Sequence, residues 1–275
     1  MSYPHHFWNP SGIRLPPKRV PVKNPMTMPN IIIFTTGASG SSVLAGLLGS
    51  QGFWLGHQTA KLQFDTYENA ELVDLNVQIL RKSGYPRRDA NDLPPPDVRR
   101  IEDLIKTEDL GPYRAFVKEC ENHRPWLWKD PRLAYTIYFW RHIVDVKSVK
   151  FVVITREFDQ AYAGLIHSRK VYMSPKQYKQ INDNYIKAID LFFEKMGTRS
   201  TVSLTFEDLI LFPQRMMQLM NEALETSLSV EALERVYKGK LYKRRYHRVD
   251  YFRALGKFII KKAIGDVERF PRRGV

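Results

Sequence analysis

Residues 30–42 read Asn-Ile-Ile-Ile-Phe-Thr-Thr-Gly-Ala-Ser-Gly-Ser-Ser. The run from Asn30 to Thr35 is short, apolar and β-branched, the composition of a strand buried on both faces. Thr36 to Ser42 is built of small residues, and beyond it Val43, Leu44, Leu47 and Leu48 recur at helical spacing. A strand, a small-residue loop and a helix in that order present successive backbone N–H groups and a helix N-terminus to an anion. The hydroxyls of Ser39, Ser41 and Ser42 add donors. A plain strand-to-helix turn, with glycine for conformational freedom and serine as a cap, accounts for the same letters. A nucleoside-triphosphate loop ends in Gly-Lys-Ser/Thr, whereas Gly40 is followed by Ser41, which argues against an ordinary ATPase or kinase.

Working outward, the nearly continuous apolar run Val149 to Thr155 predicts a second buried strand, Val202 to Thr205 a further one, and Trp126 to Trp128 a shorter one. Leu72, Leu75, Ile79 and Leu80 predict a helix over Tyr67 to Arg81, and others are expected over Asp97 to Lys106, after Arg156, and from Pro175 to Met196. Alternating β and α elements imply a parallel sheet between two helical layers, with ligands held beyond the carboxyl ends of the strands. The expected fold is therefore α/β, three layers around a central parallel sheet with a phosphate loop. The divisions expected are an irregular arm over 1–29, a domain over 30–248 and a basic amphipathic helix and tail over 249–275.

The 275 residues are 43% apolar, enough for one substantial core. The one cysteine, Cys120, has no intrachain partner, and the proline-rich start lacks the apolar stretch of a signal peptide, so a cytoplasmic location is expected. The net charge of +14 is concentrated at the end: residues 235–275 hold fourteen Lys and Arg against three acidic residues, a net +11. Such a field attracts a nucleotide, a sulfated or phosphorylated acceptor, nucleic acid or an anionic membrane. No helix-turn-helix, zinc or RNA-sheet motif supports nucleic acid. Leu255, Phe258, Ile259, Ala263 and Ile264 interleave with Lys257, Lys261 and Lys262, a pattern that suits docking on the domain or peripheral membrane contact. His57 and His123 could serve as bases, although a lone histidine is more often structural or simply exposed, and no group of His, Cys or acids has metal-ligand spacing.

Four further segments follow the loop in order: Tyr67-Glu68-Asn69, Trp128-Lys129-Asp130-Pro131-Arg132-Leu133, Val153-Ile154-Thr155-Arg156 and Phe206-Glu207-Asp208-Leu209. With the loop they resemble the family of sulfotransferases that use 3′-phosphoadenosine-5′-phosphosulfate (PAPS), in its bacterial-type members, over residues 30 to 248. The resemblance implies a sulfuryl transfer without metal, from PAPS to a hydroxyl or amine of an acceptor that a glycan, lipid, phenol or peptide would equally satisfy. By the same resemblance Gly37, Ser39, Gly40, Ser41 and Ser42 hold the 5′ phosphate, Arg156 meets the 3′ phosphate and Glu68 is the general base. The family's cation before the loop serine is replaced here by Ala38, and Lys129 is the candidate to stand in for it. The family's serine eight residues after the strand-end arginine is replaced by Gly164, with Ser168 a helical turn further on. Lys243 and Arg244, in the basic run 238–245, are expected to close over the nucleotide. Glu207 and Asp208 are read as caps or loop braces. A non-catalytic relative that binds a nucleotide or anionic partner, and a phosphoryl-transfer enzyme built on the same loop, are the alternative functions.

Overall fold

The computed structural model describes residues 28–61, 65–87, 90–91, 93–242 and 248–265. Its centre is a sheet of four parallel strands, β1 (Asn30–Thr35), β4 (Leu127–Lys129), β5 (Val149–Thr155) and β6 (Val202–Thr205), in the spatial order β4-β1-β5-β6. β1 is central because it is apolar on both faces. Ile31 and Ile33 face a cluster with α1 (Ser41–Gly49), α8 (Phe206–Leu211), α9 (Pro213–Leu224) and α10 (Val230–Val236). Ile32 and Phe34 face the opposite cluster, built by α2 (Ala70–Lys82), α3 (Val98–Asp103), α4 (Gly111–Asn122), α5 (Leu133–Trp140), α6 (Phe158–Ser168) and α7 (Pro175–Met196). The period-2 alternation of one strand thus divides the core between two helical layers. The aromatic content concentrates in the second layer, where Phe34 stacks on Phe151 with ring centroids 5.6 Å apart and Phe192 and Phe193 meet both rings edge-on. Cys120 is buried there and burial pushes its thiol up to about 12.

The three-layer α/β/α arrangement is the one expected, and the strands at 30–35, 149–155 and 202–205 and the helix at 175–196 fall where the sequence places them. The segment from Tyr67 differs. A hairpin of β2 (Thr59–Lys61) and β3 (Asp65–Asn69) occupies its first residues, and the helix begins only at Ala70. Asn69 ends the strand and caps the helix, its side-chain oxygen accepting from the N–H groups of Glu71 and Leu72. The helix expected to reach Lys106 stops at Asp103 and finishes as a 3-10 turn over Leu104–Lys106.

α11 (Arg248–Ala263) packs on α6 through the buried residues Ala254 and Phe258. Val249, Phe252, Ile259, Ile260 and Ile264 form a second stripe that faces outward. Among the described residues no helix is long and apolar enough to cross a membrane. The arm through residue 27, Lys243, Arg244 and the tail from residue 266 lie outside the described residues.

Candidate active site at the carboxyl edge of the sheet

All four sheet strands run the same way, so their carboxyl ends share one edge, and each delivers a polar segment there. β1 leads into the loop 36–40, β4 ends on Lys129, β5 is followed by Arg156, and β6 by Phe206 and Glu207.

The loop turns back on itself through left-handed residues at Gly37 (φ 76°), Ala38 (φ 51°) and Gly40 (φ 79°). Gly40 begins α1, and no side chain caps it among the described residues. The first-turn N–H groups of a helix have no partner within it, and together with the helix dipole they favour an anion. The loop is braced from behind: Ser39 is buried and bonded to the Thr35 hydroxyl, and Gly37 N–H donates to the same Thr35 oxygen at 3.3 Å. Ser39 is thus spent on the scaffold, while Ser42, in the first turn of α1, meets Lys129.

Lys129 is the centre of the arrangement. Its ammonium donates to Glu68 Oε1 at 2.6 Å, to the Thr66 carbonyl at 3.2 Å and to Ser42 Oγ at 3.3 Å. The lysine side chain is 2% exposed and that of Glu68 15%, so the pair is strongly shielded and opens to solvent on the glutamate side. Tyr67 makes this meeting possible. It takes φ 54°, a costly conformation for a bulky residue, with its N–H held by Asp65 Oδ1 at 2.8 Å and its ring against Gly46 of α1. The kink puts the Thr66 carbonyl and the Glu68 carboxylate on the same ammonium.

The neighbours of Lys129 hold the backbone in place. Asp130 is fully buried and accepts from Asn76 at 2.8 Å and from the Arg132 guanidinium at 2.7 Å. Asn76 in turn accepts from Thr136 and from the Trp140 indole at 2.7 and 2.8 Å. Asp130 and Arg132 therefore satisfy each other and leave Lys129 to point at the loop.

Arg156 reaches the loop from the other side. Its guanidinium donates to the Ala38 carbonyl at 3.3 Å, stands 3.5 Å from Glu207 Oε1 and lies over the Phe206 ring. Glu207 also accepts from the Glu157 N–H at 3.0 Å, and Asp208 forms a capping box with Thr205. Both acids are thus a brace and a cap, as read from the sequence. Gly164 lies against the guanidinium, where an added Cβ would stand 3.5 Å from it, while Ser168 sits further along α6 at its exposed end. A surface concavity lined by Lys147, Ser148, Lys150 and Arg199 lies at the amino end of β5, about 20 Å away along the strand.

One grouping corrects the sequence reading. His57, Glu119 and His123 place two imidazole nitrogens and a carboxylate oxygen within 4.8 Å of one another. The spacing of Glu119 and His123, four apart at the end of a helix, is the signal that points to it. His57 comes from 62 residues upstream of Glu119 and has no sequence cue.

No protein-family model matches the chain, and no curated protein does. Among solved structures, retinol dehydratase in complex with androsterone and the inactive cofactor PAP aligns with 91% of this chain and 86% of its own, at 13% identity and a TM-score of 0.36. A likeness of that degree carries no argument about ligand or reaction, and the functional reading rests on the site.

Proposed function

We propose that the chain is a sulfotransferase that uses PAPS as donor substrate and holds it at the loop between β1 and α1. The observation that carries this reading is Lys129, a buried cation delivered from a different strand to the first turn of α1 and paired there with Glu68. Ala38 leaves the loop without a cation of its own, and Lys129 meets that need. The residues fit the donor's chemistry: uncapped amides of α1 and the Lys129 ammonium for the 5′ phosphate, and the Arg156 guanidinium, suited to bidentate phosphate binding, for the 3′ phosphate.

In this reading the donor supplies the sulfuryl group. As the bond from acceptor oxygen or nitrogen to sulfur forms, the bond from sulfur to the leaving phosphate oxygen breaks. Glu68 takes the acceptor's proton, and Lys129 with the helix amides balances the charge left on the phosphate. Lys129 also orients Glu68, since one carboxylate oxygen is committed to its ammonium.

The test is a sulfate-transfer assay over hydroxyl and amine acceptors together with binding of the product nucleotide, PAP. Glu68→Gln is expected to lower turnover about 100-fold while leaving PAP affinity within about threefold. Arg156→Ala is expected to weaken PAP binding at least about tenfold. The reverse pattern would exchange the two roles, and tight PAP binding with no transfer to any acceptor would favour the non-catalytic alternative.

The reading extends to a peripheral contact of α11 with an anionic membrane. What supports it is the outward stripe of Val249, Phe252, Ile259, Ile260 and Ile264, flanked by Arg248, Arg253, Lys257, Lys261 and Lys262.

A further inference from the structure

We infer that His57, Glu119 and His123 form a binding site for a divalent transition-metal ion of zinc's class. Glu119 lies in the last turn of α4 and His123 is the residue that ends that helix, so the two side chains share one face. Both imidazoles direct Nε2 at the same carboxylate oxygen: His123 Nε2 is 2.9 Å and His57 Nε2 3.0 Å from Glu119 Oε1. Ligand atoms around a tetrahedral ion at ~2.0–2.1 Å stand ~3.3 Å from one another. The two histidine-to-carboxylate distances are within a few tenths of an ångström of that spacing, and all three ligand atoms lie within 4.8 Å of one another, so side-chain rotation alone can close them around an ion.

The support beneath the three residues is rigid. Trp54 hydrogen-bonds through its backbone to Pro125 and Leu127, at 2.8 and 3.0 Å, which anchors the segment leading to His57 beside β4. Its indole stacks on the His123 ring with centroids 4.8 Å apart and an interplanar angle of 8°, and meets His57 edge-on at 5.4 Å. Gly56, at φ 103°, lets the backbone cross directly above Asn69, where a Cβ would come within 2.5 Å of the side chain. The other oxygen of Glu119 takes a bond from Asn122 at 3.4 Å, an outer contact that orients the carboxylate.

The donor set selects the ion. Two imidazole nitrogens and one carboxylate favour zinc, copper, nickel or cobalt over magnesium and calcium, which prefer oxygen alone. Metal binding uses the Nε2 lone pair of each ring, with the ring proton on Nδ1. The side chains are 64% (His57), 37% (Glu119) and 39% (His123) exposed, so water completes the coordination and entry is unobstructed. An ion here joins the end of α4 to the segment before β2. The next residue, Gln58, accepts from the Ala70 N–H at 2.9 Å, one residue past the Glu68-Asn69 step, so the clamp braces the hairpin that carries Glu68.

The experiment uses the full chain, stripped with a chelator and dialysed. It is titrated with zinc by calorimetry and with cobalt by visible absorption, without nucleotide, so the outcome is independent of the donor reading. One equivalent of zinc is expected to bind, and cobalt to give the intense d–d bands of a four-coordinate site that zinc then bleaches. His57→Ala, Glu119→Gln and His123→Ala are each expected to weaken zinc at least about tenfold, and the double variant His57→Ala/His123→Ala to abolish the cobalt bands. All three side chains are partly exposed, and circular dichroism checks that the variants fold. Equal zinc uptake by the double variant and the wild type would overturn the inference and assign the uptake to other histidines. So would the absence of stoichiometric binding by the wild type.

Discussion

Gly40 has no space for a methyl group. A Cβ at this position would stand 2.2 Å from Phe206, a buried ring that also carries the Arg156 guanidinium on its face. The left-handed φ adds about 1–2 kcal/mol for any side chain, and overpacking a further ~1–3 kcal/mol. Gly40→Ala is therefore expected to destabilise the protein by roughly 2–5 kcal/mol, read as a fall in the midpoint of denaturant unfolding. Ala38→Gly, which relieves a non-glycine residue already left-handed, is expected to be neutral or slightly stabilising. A Gly40→Ala protein as stable as wild type would contradict this packing. At the same scale, the loop between β1 and α1 is legible in the sequence as a tight strand-to-helix turn, because glycine and serine signal it locally. The side chains that complete it are not legible from residue patterns: Lys129 and Glu68 stand 61 residues apart, and only the resemblance of their segments marked both. Ser39, expected to face the ligand, instead bonds inward to Thr35.

At the scale of the element, the hairpin before α2 shows how a periodic pattern overruns a boundary. Leu72, Leu75, Ile79 and Leu80 are helical, but Asn69 is a strong helix cap and Tyr67 is kinked, so the three residues before Ala70 belong to a strand. α5 shows the converse. Leu-Ala-Tyr-Thr-Ile-Tyr-Phe-Trp is buried at every position, which removes the amphipathic period that identifies a helix. α11 splits the apolar pattern read from its sequence: Phe258 docks inward, whereas Ile259 and Ile264 point out with Val249, Phe252 and Ile260. The full chain is expected to co-sediment with phosphatidylserine-containing vesicles at low salt and to leave them as salt is raised, since Debye screening shortens the attraction. Phe252→Ser/Ile260→Ser is expected to lose most of that binding without loss of fold, as both side chains are exposed. Equal sedimentation of wild type and variant would contradict an inserted apolar stripe.

At the scale of the molecule, a parallel sheet gathers chemistry from segments distant in sequence. Buried strands announce themselves as apolar runs, so the alternation of β and α, and with it the common carboxyl edge, is legible before any contact is known. What lies at that edge is decided by register and by kinks such as Tyr67, which carry no periodic signal. The resulting edge holds two buried or nearly buried cations, Lys129 and Arg156, on either side of an uncapped helix N-terminus. Each cation has an acid beside it, so the site is charged without being a bare positive well. The proposed donor, with two separate phosphate groups, would meet both cations. Isothermal titration of the full chain with PAP, in parallel with ATP and magnesium, tests this most directly. One equivalent of PAP is expected to bind at least about tenfold more tightly than ATP, with affinity lost in Arg156→Ala and kept in Glu68→Gln. Absence of PAP binding, or magnesium-dependent ATP binding that PAP does not displace, would contradict it.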